Sequence, residues 1–269
     1  MSPLTKIKAK IKKNFKNVRG LLRSLYWTRL TSKKSSKTSF TAHILVVDKL
    51  IYVELAKVCA ESLIFFHPNA KVIFHVDVAL EPILRERLKY LFKHKKARTI
   101  ILPPSPKLRW QHRKLLLILA LNGTSDVFLD ADLKFNGPLP NILGVTFFVK
   151  EFRMKSDTKY AKMISSFNEQ QFENASMHNT SFFSFGGYLQ ENLELSEILD
   201  VEQKIKSYSQ TIKADKAEII NMDRISEQIT LSLIVENWNI PIYALKDVDG
   251  HKDKSFLESS YYGATNSTF

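Results

Sequence analysis

The chain has 269 residues, 44% of them hydrophobic and 11% aromatic, enough to bury a full core, which excludes a disordered protein. Its one cysteine, Cys59, excludes an internal disulfide and a multi-cysteine zinc site and fits a reducing compartment. The net charge of +13 resembles a nucleic-acid signal until it is located: residues 1 to 40 hold twelve Lys and Arg and no carboxylate, leaving 28 basic against 27 acidic residues beyond them.

Residues 1–30 have their own pattern. Leu4, Ile7, Ile11, Phe15, Val18, Leu22 and Leu25 recur at steps of three and four, which places them within an arc of about 80° on a helix. Lys6, Lys10, Lys13, Lys16 and Arg23 take other directions, and Tyr26 and Trp27 close the segment. This predicts a basic amphipathic helix suited to an anionic membrane surface. A partner helix, nucleic acid and a targeting presequence are the competing readings; phosphate binding needs no apolar stripe. Arg19, Arg23 and Arg29 interrupt the best candidate for a spanning segment, so the expectation is a cytoplasmic protein peripheral to the membrane.

Residues 31–40 read as a polar linker, and a domain over 41–246 follows, with 247–269 as a polar tail. In the domain, a strand over 43–47 is followed by a helix over 52–66 that ends at His67-Pro68-Asn69. A strand over 71–76 leads to a helix over 81–94, and a strand over 98–102 to a helix over 110–121, which stops at Asn122-Gly123. Residues 126–130, DVFLD, form a fourth strand. Strands alternating with helices predict an α/β fold with a mainly parallel sheet. Beyond it, strands are expected over 145–152, 178–187 and 241–245, and helices over 160–167, 193–208 and 225–238. Cys59 reads as a small core residue rather than a nucleophile, and Phe182, Phe183 and Phe185 as core.

The fourth strand ends in Asp130-Ala131-Asp132. Ligands of open α/β sheets bind at the carboxyl ends of strands, and two carboxylates one residue apart repel unless a cation or proton is shared between them. A divalent ion on a phosphorylated ligand supplies that cation; a solvated turn is the plainer alternative.

The segment RWQHRKLLLILALNGTSDVFLDADLKFNGPLP resembles the donor-site core of nucleotide-diphospho-sugar transferases of the GT-A fold. HNTSFFSFGG is similar to the family's Asn-x-Gly aromatic segment, ISEQITLSLIVENWNIPIYAL to its acidic-Gln helix and following strand, and VVDKLIYVELAKVCAESL to its first strand and nucleobase turn. The resemblance spans roughly residues 43 to 246 and implies a GT-A-like, Rossmann-like fold. It also implies metal-assisted glycosyl transfer from a nucleotide-diphosphate donor, with a UDP-sugar favoured. A glycan or lipid-linked molecule would be the acceptor, Mn²⁺ or Mg²⁺ the cofactor, and nucleic acid no partner. Asp132 would ligate the metal, with Asp130 on the metal or ribose. Asp48 and Tyr52 would hold base and ribose, Lys114 the diphosphate, and Asn179 and Gln228 the sugar.

Glu227 would be a general base in an inverting enzyme or a ligand of sugar hydroxyls in a retaining one; a dipole-compensating helix start is the plain alternative. For Lys114 and its neighbour Arg113, a solvated helix face competes with a site role, and only one is expected to point to the site. For Tyr52 the competing reading is helix core. His251 is the histidine candidate for the metal, although DGHKDK departs from the family's His-x-x-Gly-x-x-Lys pattern, and Ser181 stands where Asn-x-Gly has glycine. A nucleotidyltransferase or a noncatalytic membrane-associated scaffold is the alternative function.

Overall fold

Apolar runs, three of them closed by an aspartate, set the frame of the sheet. In the computed structural model, which describes residues 39–103, 109–135, 137–139, 142, 144–166, 175–191, 194–211, 225–238, 242–247 and 257–259, these runs become strands β1 (Thr41–Val46), β2 (Lys71–Asp77), β3 (Ala97–Leu102) and β4 (Val127–Leu129). They lie side by side and parallel in the order β3-β2-β1-β4. Burial on both faces is why β1 and β2 read as continuous apolar runs rather than alternating ones. The sheet continues through β7 (Ser176–Ser184), β6 (Val145–Arg153) and β8 (Ile242–Asp247). β7 runs antiparallel to both β4 and β6, while β6 and β8 are parallel. The result is the expected Rossmann-like α/β architecture, a seven-stranded and mainly parallel sheet flanked by helices.

Successive side chains of each strand divide between two cores. On one face Ile44, Val46, Leu129 and Phe182 pack with helix α1 (Ile51–Phe66) and with Leu84, Leu88 and Leu91. On the other, Leu45, Phe128, Phe147, Phe183 and Phe185 pack with helices α4 (Trp110–Leu119), α6 (Leu195–Thr211) and α7 (Ser226–Val235). Helix α5 (Thr158–Ser166) packs through Tyr160, Met163 and Ile164 into a third cluster with Val201 and Ile229. Cys59 is fully buried in the first core, as a small hydrophobe would be.

Three departures from the sequence pattern have physical causes. The single helix expected over 81–94 is two, α2 (Glu81–Arg87) and α3 (Lys89–Lys93), broken at Leu88. The break lets Leu84, Leu88 and Leu91 all reach the core. α3 ends in a Schellman motif: Lys95 N–H bonds Phe92 O at 3.1 Å and Lys96 N–H bonds Leu91 O at 2.8 Å. Lys95 takes the left-handed position, φ 55°, where glycine is usual. Third, the segment after Asp132 forms β5 (Leu133–Phe135), paired antiparallel with β9 (Leu257–Ser259), so part of the expected free tail belongs to the fold. Among the described residues no helix is long and apolar enough to cross a membrane.

A polar ladder crosses one face inside the sheet. His43 Nδ1 is 2.9 Å from His75 Nε2, and His43 Nε2 is 3.2 Å from Asp126 Oδ2. The carboxylate only accepts, so His43 donates from Nε2 and, when neutral, takes the His75 proton at Nδ1. Burial lowers both imidazoles, His75 to about 4.

Candidate active site

Three parallel strands finish at one edge, and each ends in or just before an aspartate: Asp48 after β1, Asp77 closing β2 and Asp130 after β4. β4 ends at Leu129, and the chain turns through Asp130-Ala131-Asp132, with the Leu133 N–H bonded to Asp130 O at 3.2 Å. Leu129, Ala131, Leu133 and Phe135 stay buried in the α1-side core, while Asp130 and Asp132 are half-buried at the turn. Helix α1 braces the segment after this turn: Ser62 Oγ accepts the Phe135 N–H at 3.0 Å and donates to Cys59 O at 3.0 Å. Asp130 is pinned from the opposite flank, its N–H bonded to Ser181 O of β7 at 2.7 Å.

Lys114 is the centre of the arrangement. It stands on the packed face of α4 with Gln111, Leu115 and Ile118 and is only 3% exposed. Its Nζ lies 2.9 Å from each Asp130 carboxylate oxygen and 3.4 Å from Glu227 Oε1, and 5.3 Å from the Phe128 ring centroid. Glu227, at the start of α7, is 2% exposed, and its Oε2 has no hydrogen-bond partner. Burial pushes the Glu227 carboxyl up to about 7, with Lys114 opposing that shift and Asp130 adding to it. The two carboxylates hold Lys114 protonated, raising its pKa despite burial.

The neighbouring residue does parallel work one strand over. Arg113 Nη1 is 2.6 Å from Asp77 Oδ1, and Asp77 Oδ2 accepts the Asp48 N–H at 3.0 Å. Asp48 is held at φ 68°, a left-handed conformation that costs about 1 kcal/mol or more for a residue with a side chain. The expectation that only one of Arg113 and Lys114 faces the site is therefore corrected. α4 runs close enough to the strand ends for two directions about 100° apart to meet two different aspartates. The solvated-face reading fails for both.

Tyr52 is 37% exposed and so is not helix core; with Leu50, Ile51 and Val78 it forms an open apolar rim beside Asp48. Asn179 lies two residues beyond Ser181 on β7, on the same face and overhanging the end of β4, and its Oδ1 accepts the Ser181 N–H at 2.8 Å. Ser181, in the glycine position of Asn-x-Gly, thus serves as the strand partner of Asp130. Gln228 is buried beside Glu227 at the start of α7. Phe182, Phe183 and Phe185 are fully buried core. Gly186 is not an interchangeable turn residue: φ is 58°, and a Cβ there would lie 2.4 Å from Gly144 O. His251 lies outside the described residues.

Asp77 was missed by sequence reasoning, which weighed Asp48, Glu227 and the paired acids Asp130 and Asp132. The available signal was the recurrence of an apolar strand closed by aspartate in HILVVD, IFHVD and VFLD. For a divalent metal, the donors on hand are the oxygens of Asp130 and Asp132. Among the described residues no group of three or more His, Cys, Asp or Glu could hold one. Hard oxygens from one or two carboxylates, completed by substrate phosphates and water, nevertheless suit Mg²⁺ or Mn²⁺ in phosphate-handling sites.

No protein-family model and no curated protein matches the sequence. Solved structures do. The galactosyltransferase LgtC in complex with donor and acceptor sugar analogues is 13% identical over 67% of this chain and 69% of its own, with a TM-score of 0.45. The mannosyltransferase PcManGT from Pyrobaculum calidifontis in complex with GDP-Man and Mn²⁺ is 8% identical over 81% and 80%, with a TM-score of 0.31. A 4-diphosphocytidyl-2C-methyl-D-erythritol synthase from Anaerococcus prevotii is 12% identical over 74% and 95%, also at 0.31. Scores this low speak to no shared activity, so function has to rest on the residues themselves.

Proposed function

We propose that the chain is a glycosyltransferase that moves a sugar from a nucleotide diphosphate to a hydroxyl of a glycan or lipid-linked acceptor. The observation that carries this reading is the bridging of Asp130 and Glu227 by the buried Lys114. Residues from β4, α4 and α7 meet at the carboxyl edge of a parallel sheet, where such ligands bind.

In this reading the rim of Leu50, Ile51 and Tyr52 takes the nucleobase and Asp48 the ribose. Asp132, with lone pairs of Asp130 left by Lys114, would hold Mn²⁺ or Mg²⁺. Such an ion, when bound, neutralises charge on the departing diphosphate. Lys114 and Arg113 fix the acids in place rather than reaching the phosphates, since both are engaged by carboxylates. Asn179 and Gln228 orient the sugar. Glu227 Oε2 takes the acceptor's proton as the new glycosidic bond forms and the bond to the diphosphate breaks, and a pKa near neutrality suits that task. The arm over residues 1–30 holds the protein at an anionic membrane surface, on the cytoplasmic side.

A thermal-shift and hydrolysis screen of nucleotide sugars, with and without Mn²⁺, tests the proposal. A UDP-sugar is expected to stabilise the wild type, and Asp132→Ala to lose that stabilisation and lower turnover at least a hundredfold. If no nucleotide sugar binds, or Asp132→Ala turns over like wild type, the assignment fails. Turnover should also rise with pH through about 7 as Glu227 ionises; a rate flat across that range removes Glu227 as base.

A further inference from the structure

The near-neutral count beyond residue 40 conceals a sharp division. Residues 85–98 carry Arg85, Arg87, Lys89, Lys93, Lys95, Lys96 and Arg98 against one acid, Glu86. The remainder beyond residue 40 then holds 21 basic and 26 acidic residues. The acids around the first part of this segment are answered: Glu81 pairs with Arg85, Glu54 with Arg87 and Glu86 with Lys89. Lys71, Lys93 and Lys95 are exposed and make no ion pair or side-chain hydrogen bond among the described residues, and Arg98 is exposed as well.

These free cations gather at the amino edge of the parallel strands, opposite the candidate active site. Lys71 N–H bonds Phe40 O at 3.0 Å, and Val72 N–H bonds Lys96 O at 2.8 Å. The point where the N-terminal arm joins the domain, Lys71 and Lys96 are therefore consecutive positions along one edge, about 5 Å apart per strand. Lys96 Nζ is tied to Pro68 O at 2.5 Å, which fixes the knuckle to the loop before β2. Asp126 is the carboxylate facing this edge from the neighbouring strand, and it is engaged by His43 and the Thr41 N–H. Lys95 occupies a backbone position that favours glycine, so a charge is displayed there against conformational cost.

We infer that the amino edge of the sheet, through Lys71, Lys93, Lys95 and Arg98, is a second docking surface for an anionic lipid bilayer. The inference rests on the proposed placement of the N-terminal arm at a membrane surface and goes further in giving the folded domain a face of its own toward the bilayer.

Binding of the full chain to vesicles of 70% phosphatidylcholine and 30% phosphatidylserine at physiological salt tests it. Each basic residue near such a surface is worth roughly a fivefold change in affinity. A variant combining Lys71→Glu, Lys93→Glu and Lys95→Gly is expected to bind at least tenfold more weakly, and Lys162→Glu on α5 to bind as wild type. Lys95→Gly alone should weaken binding without lowering the melting temperature, because glycine relieves the left-handed position; this separates docking from misfolding. Equal binding of the triple variant and wild type overturns the docking surface while leaving the arm's role intact. If Ile7→Glu with Ile11→Glu leaves binding unchanged, the arm reading fails and the docking surface that rests on it falls with it. Equal binding to pure phosphatidylcholine, or a preference for a nucleic-acid duplex over the vesicles, also overturns the proposal.

Discussion

At the scale of single residues, Lys114 and Glu227 set the character of the site. A buried ammonium shared by two carboxylates offsets one of their two charges, and removing it leaves the buried Glu227 facing a half-buried Asp130 with no cation between them. Lys114→Met is therefore expected to lower stability by about 3 to 5 kcal/mol in urea unfolding, far more than a surface lysine would. Glu227 adds a pH signature. Its folded pKa, about 7, lies above the ordinary 4.5, so the native state keeps a proton that the unfolded chain releases. Its contribution is full below about 4.5 and is lost as pH rises through about 7. Glu227→Gln should accordingly gain stability relative to wild type between pH 5 and 8, by an amount on the order of 2 kcal/mol, measured as the difference in urea midpoints. A difference that shrinks with rising pH would show that Glu227 is not held protonated. His67 and His75 act in the opposite sense: both are lowered to about 4 by burial, so their contribution is present above about 6.5 and is lost as pH falls.

At the scale of elements, β1, β2 and β4 were legible because burial on both faces writes an apolar run. The strand expected over 178–187, observed as β7 (Ser176–Ser184), was legible too, but not its direction, since a residue pattern is the same read parallel or antiparallel. That direction matters: running against β4 is what lets Ser181 O meet the Asp130 N–H. The break at Leu88 was hidden because no Pro or Gly marks it and the apolar spacing continues across it. β5 was hidden because three residues cannot show a period, and because its partner β9 lies far along the chain. Gly186 tests how tightly β7's exit is packed. Gly186→Ala adds a left-handed penalty to a 2.4 Å overlap with Gly144 O, and should cost about 3 kcal/mol, seen as a lower melting temperature. A loss under 1 kcal/mol would mean that the turn rearranges freely.

At the scale of the whole molecule, length and composition indicate a full core and the alternation of strands and helices the α/β class, while counting locates twelve of the basic residues in residues 1 to 40. The remaining polarity was invisible because charge counts ignore position: the same 28 bases and 27 acids become a basic edge and an acidic edge only once β1, β2 and β3 are laid side by side. The site was half legible for the same reason. Asp130 and Asp132 announce themselves by being adjacent, whereas Asp77 and Arg113 are 36 residues apart in sequence and meet only through the crossover that packs α4 against the strand ends. Among the described residues, the two non-glycine residues at positive φ, Asp48 and Lys95, fall at the two opposite edges.

Cys59 gives the molecule a reporter of its own. It is the only thiol, fully buried near the Asp-Ala-Asp turn, and held protonated by burial with further help from Asp132 and Asp130, so it is inert while α1 stays seated. Its rate of alkylation then counts how often the floor of the site lifts off. A bound nucleotide sugar should slow that clock at least tenfold in native buffer, and a rate indifferent to ligand would mean that the floor and the ligand do not communicate.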